Sequence, residues 1–246
     1  MDKRTAVVTG ASSGIGRASA IALAKEGFHV ICAARRVDRL QELCRDIDGT
    51  AVHLDVTSDD DVAHLVDVVG ARCDVLVNNA GGALGQDPLA SSDLSLWGTM
   101  YATNVVGAAR VTKALLPSVE AAEGSIVFVT STAAETAYEG GAGYCAAKSA
   151  ERAMVGSLRL ELCGLPVRVI EVAPGMVHTE EFSLVRYGGD QARADAVYAG
   201  VPNPLTADDV AETIRWSVSL PSHVNVDKIV VRPRSQAANH KIFRQS

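Results

Sequence analysis

The sequence predicts an α/β fold built on one doubly wound parallel sheet. Short apolar segments alternate with amphipathic segments along the chain, which is typical of strands joined by crossover helices. A glycine-rich turn follows the first apolar segment, and no linker, repeat or low-complexity stretch interrupts the alternation. We therefore expect residues 1–246 to form a single domain.

The composition argues against several classes of function. Of the 246 residues, 48% are hydrophobic and 21% are charged, and the net charge is −6. A negative chain has no electrostatic basis for binding nucleic acid or an anionic membrane surface. The first residues leave no room for a secretory segment, and no apolar run has the length of a membrane span. These features predict a cytoplasmic protein.

The cysteines predict neither a disulfide framework nor a metal site. Five of them are scattered through apolar segments, and no two form a C-x-x-C pair. An odd, unpatterned set of this kind is typical of reduced thiols. We therefore expect no bound metal.

The first strand and helix predict a phosphate-binding turn. Residues 5–9 form an apolar strand and residues 18–25 a helix, and between them lies Gly10-Ala11-Ser12-Ser13-Gly14-Ile15-Gly16. A helix N-terminus offers free N–H groups to a pyrophosphate, and glycines permit the close backbone approach that this binding requires. The spacing is G-x-x-x-G-x-G, and a plain turn would account for one glycine but poorly for three.

The second strand, residues 28–34, indicates which dinucleotide would bind. An NAD site usually places an acidic residue at the end of this strand, whereas here Ala34 is followed by Arg35 and Arg36. Arginine suits a 2′-phosphate, so the pair predicts NADP(H). The alternative is that both are solvated, or that Arg36 pairs with Asp38 or Glu42.

The alternation then continues through residues 37–78. Helices are expected at 37–47 and 59–69, with Ser58 as an N-cap, and strands at 50–54 and 74–78. Asp55 follows the third strand, where it could contact an adenine or cap a turn. Residues 78–81 could contact the cofactor or form a simple turn.

A long helical region is expected at residues 93–116, with Asn104 in its middle. Asparagine is unfavourable inside a helix, and a buried one needs hydrogen-bond partners. A role in the site is therefore plausible for Asn104, although one asparagine proves little.

The next strand and helix carry the predicted chemistry. Residues 124–131 form a buried strand that ends in the hydroxyl of Ser131, and a helix follows that contains Tyr144 and Lys148. Residues four apart share a helix face, so Tyr144 and Lys148 point the same way. The free phenol of tyrosine has a pKa of about 10, and a nearby ammonium favours its phenolate form. This arrangement suits proton transfer in carbonyl–alcohol chemistry. Alone, the Tyr-x-x-x-Lys spacing also fits an ordinary amphipathic helix.

The C-terminal third contains a candidate lid. A strand at 167–172 is followed by residues 173–179 and then by the long segment 180–204, which contains Arg186. A loop of this length is typical of a lid over a substrate. A helix at 207–220 and a strand at 228–231 close the domain, and residues 235–241 show no regular pattern.

Together these motifs resemble the short-chain dehydrogenase/reductase family along essentially the whole chain. The resemblance implies a Rossmann-type domain and a homotetramer, with Tyr144 as general acid/base, Lys148 lowering the pKa of Tyr144 and holding the nicotinamide ribose, Ser131 orienting the carbonyl, and Asn104 holding a relay water. It implies cofactor contacts from Gly10, Ser12, Ser13, Gly14, Ile15, Gly16, Arg35, Arg36, Asp55, Val56, Asn79, Ala80, Gly81, Tyr144, Lys148, Pro174, Gly175, Val177 and Thr179. Many NADP-using members carry a basic residue where Ser13 stands, so the NADP prediction depends on Arg35 and Arg36.

The C-terminal third is similar to bacterial NADP-dependent 3-hydroxy acid dehydrogenases, notably in residues 174–177, 181–187, 205–211 and 220–226. That similarity implies a small 3-hydroxy acid or semialdehyde as substrate, bound by Ser131 and Tyr144, with Arg186 facing a carboxylate. An exposed Arg186 paired with Glu180 or Glu181 is an equal alternative. A 3-ketoacyl thioester, a sugar or a ring ketone remains open as the substrate, as does a non-catalytic NADP sensor on the same fold.

Overall fold

A seven-stranded parallel sheet forms the centre of the computed structural model, which describes residues 3–245. The strand order is β3-β2-β1-β4-β5-β6-β7, and these strands are Thr5–Thr9 (β1), His29–Ala34 (β2), Thr50–His53 (β3), Val75–Asn78 (β4), Ser125–Val129 (β5), Arg168–Pro174 (β6) and Lys228–Val231 (β7). The predicted α/β fold with a doubly wound, Rossmann-type sheet is confirmed. Residues 1, 2 and 246 of the predicted domain lie outside the described residues, and its status as a single unit stays a prediction.

Helices cover both faces of this sheet. They are Gly14–Lys25 (α1), Val37–Ile47 (α2), Asp59–Val69 (α3), Leu94–Tyr101 (α4), Ala108–Ala122 (α5), Ala142–Glu161 (α6), Phe182–Arg186 (α7), Gln191–Ala196 (α8) and Ala207–Ser219 (α9). Alternate residues of a strand point to opposite faces, so Val8 packs in the cluster with α1, α2 and α9 while Val7 packs in the cluster with α3, α5 and α6. Both faces are buried, as a parallel sheet requires.

The strand order reverses direction between β1 and β4. In open α/β sheets this point opens a crevice beyond the carboxyl ends of the strands, where ligands bind. The glycine turn follows β1 and Asn79 follows β4, so the fold places both predicted cofactor segments at the crevice.

Several predicted boundaries were wrong. Helix α1 begins at Gly14 and not at residue 18, so the last two glycines of the turn lie in its first turn. Strand β5 ends at Val129, and Ser131 instead caps the 3₁₀ turn Thr132–Ala134 by accepting a hydrogen bond from Ala133 N. Strand β7 has the predicted bounds, whereas β6 extends past its predicted end at residue 172 and runs to Pro174.

The region predicted as one long helix at 93–116 is three segments. Helix α4 is followed by the π-helical turn Ala102–Gly107, and α5 then continues to Ala122. Asn104 lies within the π turn, and such turns occur frequently at functional sites.

The C-terminal tail has more structure than its sequence pattern indicated. Residues Gln236–Ala238 (β8) pair antiparallel with Lys241–Ile242 (β9) and fold back onto the sheet's crevice. Among residues 3–245, no helix is long and apolar enough to cross a membrane.

Candidate active site

A cleft of about 1490 Å³ lies at the carboxyl ends of the strands. The cleft is lined by nearly all of the predicted site residues, although these come from segments scattered between Gly10 and Arg186. These residues are Gly10, Ser12, Ser13, Gly14, Ile15, Arg35, Arg36, Asp55, Val56, Asn79, Ala80, Gly81, Asn104, Ser131, Tyr144, Lys148, Pro174, Gly175, Val177, Thr179 and Arg186. The exception is Gly16, which does not line the cleft.

The glycine turn is built so tightly that only glycine fits at two of its positions. Gly10 has a φ of +66°, and a methyl group on Gly16 would lie 2.3 Å from the carbonyl oxygen of Gly10. The side chain of Asn79 holds the turn from the neighbouring strand by donating to the carbonyl oxygens of Thr9 (3.0 Å) and Gly10 (3.4 Å). The N-terminus of α1 thus opens on a close-approach surface suited to a pyrophosphate.

Arg36 is held in place by groups from two other segments, the glycine turn and the candidate lid. Its guanidinium donates to the hydroxyls of Ser12 (2.9 Å) and Ser13 (2.9 Å) and to Glu181 Oε1 (2.7 Å). The hydrogen bond to Glu181 raises the pKa of Arg36, and Arg36 is the main cause that lowers the pKa of Glu181 to about 2. The ion pair is therefore with the candidate lid, and not with Asp38 or Glu42.

Arg35 stands on the rim of the same end of the cleft. Its side chain is exposed and belongs to the cleft lining, next to Asp55 at the carboxyl end of β3. Asp55 accepts hydrogen bonds from Thr57 N (2.9 Å) and Thr57 Oγ1 (2.7 Å), and these bonds lower its pKa. Asp55 thus caps a turn and faces the cleft, so both roles that its sequence allowed are compatible with its position.

Tyr144 and Lys148 project into the cleft from one face of α6. Tyr144 is 7% exposed, and the edge of its ring meets Phe182 with the ring centroids 6.0 Å apart. Lys148 is buried, and its Nζ donates to Val129 O (3.1 Å) and to Glu151 Oε2 (2.7 Å). A phenol and an ammonium are thus placed together out of bulk water, where charge interactions are strong.

Asn104 is anchored by the fold around it. Its Nδ2 donates to Gly82 O (3.1 Å) and Met100 O (2.8 Å), and its Oδ1 accepts from Gly82 N (3.2 Å). A methyl group on Gly81 would lie 2.4 Å from Asn104 Oδ1 and 3.8 Å from Lys148 Nζ, so these groups surround one small space. That space is suited to a polar ligand or a water molecule.

The loop after β6 forms the opposite wall. Thr179 approaches the glycine turn, since a methyl group on Gly14 would lie 3.4 Å from Thr179 Cγ2. Gly175 allows the side chain of Gln236 to come close, and Gln236 Oε1 accepts from Met176 N (2.8 Å). The cleft-lining residues directly after β6 are therefore held by the C-terminal tail.

Arg186 lies where α7 meets the end of the cleft that Tyr144 lines. Its Nε donates to Gly85 O (3.1 Å), and its guanidinium stacks over the rings of Tyr138 (5.4 Å) and Tyr144 (5.8 Å). Its Nη2 is buried and has no hydrogen-bond partner among residues 3–245. The predicted alternative, a pair with Glu180 or Glu181, is not formed, because Glu181 binds Arg36 and Arg39.

Four site residues were missed from the sequence. Glu181 binds Arg36, and Glu151 binds Lys148. Both carboxylates lie in segments where an acidic residue is common, so neither stood out in the sequence. Gln236 and Asn239 come from the tail, and Asn239 Oδ1 accepts from Thr132 Oγ1 (2.8 Å) next to Ser131. Only the spacing of Glu151, one helical turn after Lys148, was a signal that could have been recognised.

The chain is similar to known proteins along most of its length. The sequence profile of the short chain dehydrogenase family matches residues 4–186. An uncharacterised oxidoreductase of Mycobacterium tuberculosis is 57% identical over 96% of this chain and 93% of its own length. Sulfoacetaldehyde reductase 2 of Chromohalobacter salexigens is 44% identical over 94% of each chain.

A solved structure, the closed form of a serine dehydrogenase complexed with NADP⁺, superposes with a TM-score of 0.91 and 36% identity, covering 98% of this chain and 100% of its own. Serine is itself a 3-hydroxy acid, so the similarity predicted for the C-terminal third is confirmed. The chain belongs to the short-chain dehydrogenase family.

Proposed function

We propose that this member of the family is an NADP(H)-dependent oxidoreductase that interconverts a small 3-hydroxy acid and the matching carbonyl compound. The observation that carries the substrate class is Arg186, whose buried Nη2 has no partner among the described residues and whose guanidinium lies over the ring of Tyr144. A planar guanidinium suits a carboxylate. The serine and sulfoacetaldehyde named for two relatives both carry an anionic group, which supports this choice.

The cofactor end of the cleft fits a dinucleotide with a 2′-phosphate. The glycine turn leaves room for a pyrophosphate at the start of α1, and Arg35, Arg36 and the Ser12 and Ser13 hydroxyls supply donors beyond β2. When bound there, NADP⁺ accepts a hydride from the alcohol and NADPH donates one to the carbonyl.

The chain itself handles the proton. In this proposal Tyr144 Oη takes the proton of the substrate hydroxyl during oxidation and returns it to the carbonyl oxygen during reduction. Lys148 favours the phenolate by its charge, and Ser131 Oγ donates a hydrogen bond to the same substrate oxygen. Asn104, fixed by Gly82 and Met100, holds a water that exchanges the proton with solvent.

We also propose that residues 180–204 act as a lid. The segment contains two short helices, α7 and α8, and it is attached to the body at Gly85, whose N–H donates to Arg186 O (2.9 Å). Phe182 covers Tyr144 and Glu181 reaches Arg36, so one segment touches both ends of the cleft. Closure would exclude water and strengthen the charge pairing with a substrate.

The test is a panel of 3-hydroxy acids, neutral alcohols, aldehydes and ketones, followed by NADPH absorbance. Replacing Arg186 by Leu is expected to raise KM for 3-hydroxy acids about tenfold, or roughly 1.4 kcal/mol, and to leave neutral substrates nearly unchanged. Arg45→Leu is the matched control, because Arg45 is exposed on α2 and its side chain, within residues 3–245, bonds to Gln41 O of its own helix.

Other outcomes would favour the rival functions. Turnover of a 3-ketoacyl thioester, a sugar or a ring ketone that is insensitive to Arg186→Leu would replace the hydroxy acid as substrate. NADPH binding without turnover of any carbonyl would favour a sensor. An equal loss on charged and neutral substrates would make Arg186 a structural residue of the lid.

The assembly and location of the protein are proposed from family membership alone. We propose a homotetramer in the cytoplasm. Light scattering coupled to size-exclusion chromatography would measure the assembly, and a monomer at micromolar concentration would contradict it.

A further inference from the structure

Helix α6 carries a buried acid that the proposed chemistry does not use. Glu151 lies one turn after Lys148, and its Oε2 is 2.7 Å from Lys148 Nζ. The side chains of Lys148 and Glu151 are only 6% and 3% exposed. Lysine and glutamate are almost never buried to this extent unless they are paired.

The surroundings of Lys148 leave it dependent on this acid. An ammonium has three N–H donors, and here one goes to Val129 O and one to Glu151. One donor therefore remains for the cleft. Burial opposes the charged form of Lys148, yet its pKa is raised because Glu151 and Tyr144 lie close to it.

Other charged groups near Glu151 are already occupied. Glu171 on β6 accepts a hydrogen bond from Thr130 Oγ1 (2.8 Å) and lies 4.0 Å from Lys228 Nζ, which also pairs with Glu135. The charged groups that act on Glu151 are thus Lys148 on its own helix and Glu171 on the sheet: burial and Glu171 raise the pKa of Glu151, and Lys148 opposes that rise. Among residues 3–245, Lys148 is the one cation in direct contact with it.

We propose that Glu151 is the counterion that keeps Lys148 protonated, and so sets the pH at which Tyr144 ionises. Glu151 is a positioning residue that acts through Lys148, and the inference rests on the proposed roles of Tyr144 and Lys148. Its carboxylate compensates the cost of holding an ammonium out of water beside the tyrosine.

The consequence of removing the charge follows from solvation. Glutamine has nearly the shape of glutamate and can still accept a hydrogen bond, but it leaves the buried ammonium without an opposite charge. A buried, unpaired ammonium releases its proton instead of staying charged. A neutral Lys148 no longer favours the phenolate, so Tyr144 should ionise at higher pH.

If Glu151 only weakened the effect of the Lys148 charge on Tyr144, its removal would shift the ionisation of Tyr144 in the opposite direction. If Lys148 stayed charged without Glu151, its field on Tyr144 would become stronger, and the tyrosine would ionise at lower pH. The direction of the change therefore separates the two roles.

The experiment is an ultraviolet titration of tyrosine ionisation in the full-length protein without substrate or cofactor. The chain has five tyrosines, so each protein is also titrated with Tyr144→Phe added. The difference between the two curves is the ionisation of Tyr144. Glu151→Gln is expected to raise the midpoint by about one pH unit or more, a tenfold change in the ionisation constant. Glu161→Gln, on the exposed end of the same helix, should leave it unchanged.

A double variant tests the route of the effect. Lys148→Met/Glu151→Gln removes both charges and avoids a buried unpaired charge, so it should fold even if Glu151→Gln does not. Its Tyr144 midpoint should be as high as that of Glu151→Gln, because Lys148 is already neutral there. An unchanged or lowered midpoint in Glu151→Gln, or a wild-type midpoint in the double variant, would overturn the proposal.

Activity supplies a separate reading. For a 3-hydroxy acid that the enzyme oxidises, kcat is measured as a function of pH. The acid limb of this profile should move to higher pH in Glu151→Gln, by the same amount as the Tyr144 midpoint. A purely structural role would lower kcat without moving the profile. Failure to turn over any substrate would count against the proposed function and would leave the titration result unaffected.

Discussion

The two ends of the cleft are built in different ways. At the proposed catalytic end, Tyr144, Lys148 and Asn104 are all less than 10% exposed, and Lys148 and Asn104 are hydrogen-bonded to groups within the body of the fold. At the proposed phosphate end, the side chain of Arg36 is 41% exposed and its ionic partner comes from the candidate lid. The proposed catalytic end is therefore fixed mainly by the body of the fold, whereas Arg36 at the proposed phosphate end is held by an ion pair with the candidate lid.

The contrast has a physical reason. Charges held away from water interact strongly, so proton transfer benefits from fixed and buried groups. A phosphate is strongly hydrated and must enter from solvent, so its site benefits from accessible arginines. We therefore expect large effects of mutation on rate at one end and smaller effects on affinity at the other.

The largest effect is expected at the catalytic end. Tyr144→Phe keeps the ring and its packing against Phe182 but removes the proton, so kcat should fall by about 10²–10⁴-fold. NADPH affinity, measured by fluorescence titration, should barely change. Tyr101→Phe, on an exposed part of α4, is the control, and activity of Tyr144→Phe within a few-fold of wild type would contradict the assignment.

A smaller effect is expected on the rim of the phosphate end. Arg35→Ala should weaken NADPH binding by about 1.5–3 kcal/mol, the range for a lost hydrogen bond to a charged group. NADH binding should hardly change, because NADH lacks the 2′-phosphate. Isothermal titration of both cofactors would measure this, and equal affinities of the wild-type protein for the two would remove the basis for the phosphate site.

A still smaller effect, of opposite sign, is expected for the partner of Arg36. Glu181 occupies donors that a 2′-phosphate would use, so Glu181→Gln should tighten NADPH binding by up to about fivefold, the scale of a partly exposed ion pair. Glu180→Gln, one residue away and exposed, is the matched control. Weaker NADPH binding in Glu181→Gln would mean that Glu181 positions Arg36 for the phosphate and does not compete with it.

The smallest effect is on stability in acid. The pKa of Glu181 is lowered in the fold to about 2 from an ordinary value of 4.5, so its ion pairs stabilise the fold above pH 4.5, and this stabilisation is lost as the pH falls towards 2. Urea unfolding of wild type and Glu181→Gln should therefore give free energies that differ at neutral pH and converge in that window. Curves that stay parallel down to pH 2 would show that the pairs do not stabilise the fold.

Some errors of the sequence prediction have local causes. Ser131 was placed at the end of β5, but its side chain bonds to Ala133 N and starts a 3₁₀ turn, and serine competes with regular structure in this way. The π turn around Asn104 was not predicted, because the asparagine side chain bonds to Met100 O and Gly82, and the second of these lies in another segment.

Other features required the whole fold. Arg36 and Glu181 are 145 residues apart, and no local pattern indicates that they meet. The tail residues Gln236 and Asn239 reach Met176 and Thr132 because β8 and β9 turn back over the cleft. Arg186 was proposed from its position in a long loop, but its contact with the rings of Tyr138 and Tyr144 depends on how α7 packs.

The sequence alone was sufficient for the alternation of strands and helices, the glycine turn, and the shared face of Tyr144 and Lys148. These follow from backbone geometry that repeats over a few residues, so a reader of the sequence can reconstruct them. The tertiary structure decided the burial of Lys148 against Glu151, the ion pair of Arg36 with the candidate lid, and the orientation of Arg186. These depend on contacts between segments far apart in the chain, whose meeting is set by the packing of the whole sheet and its loops.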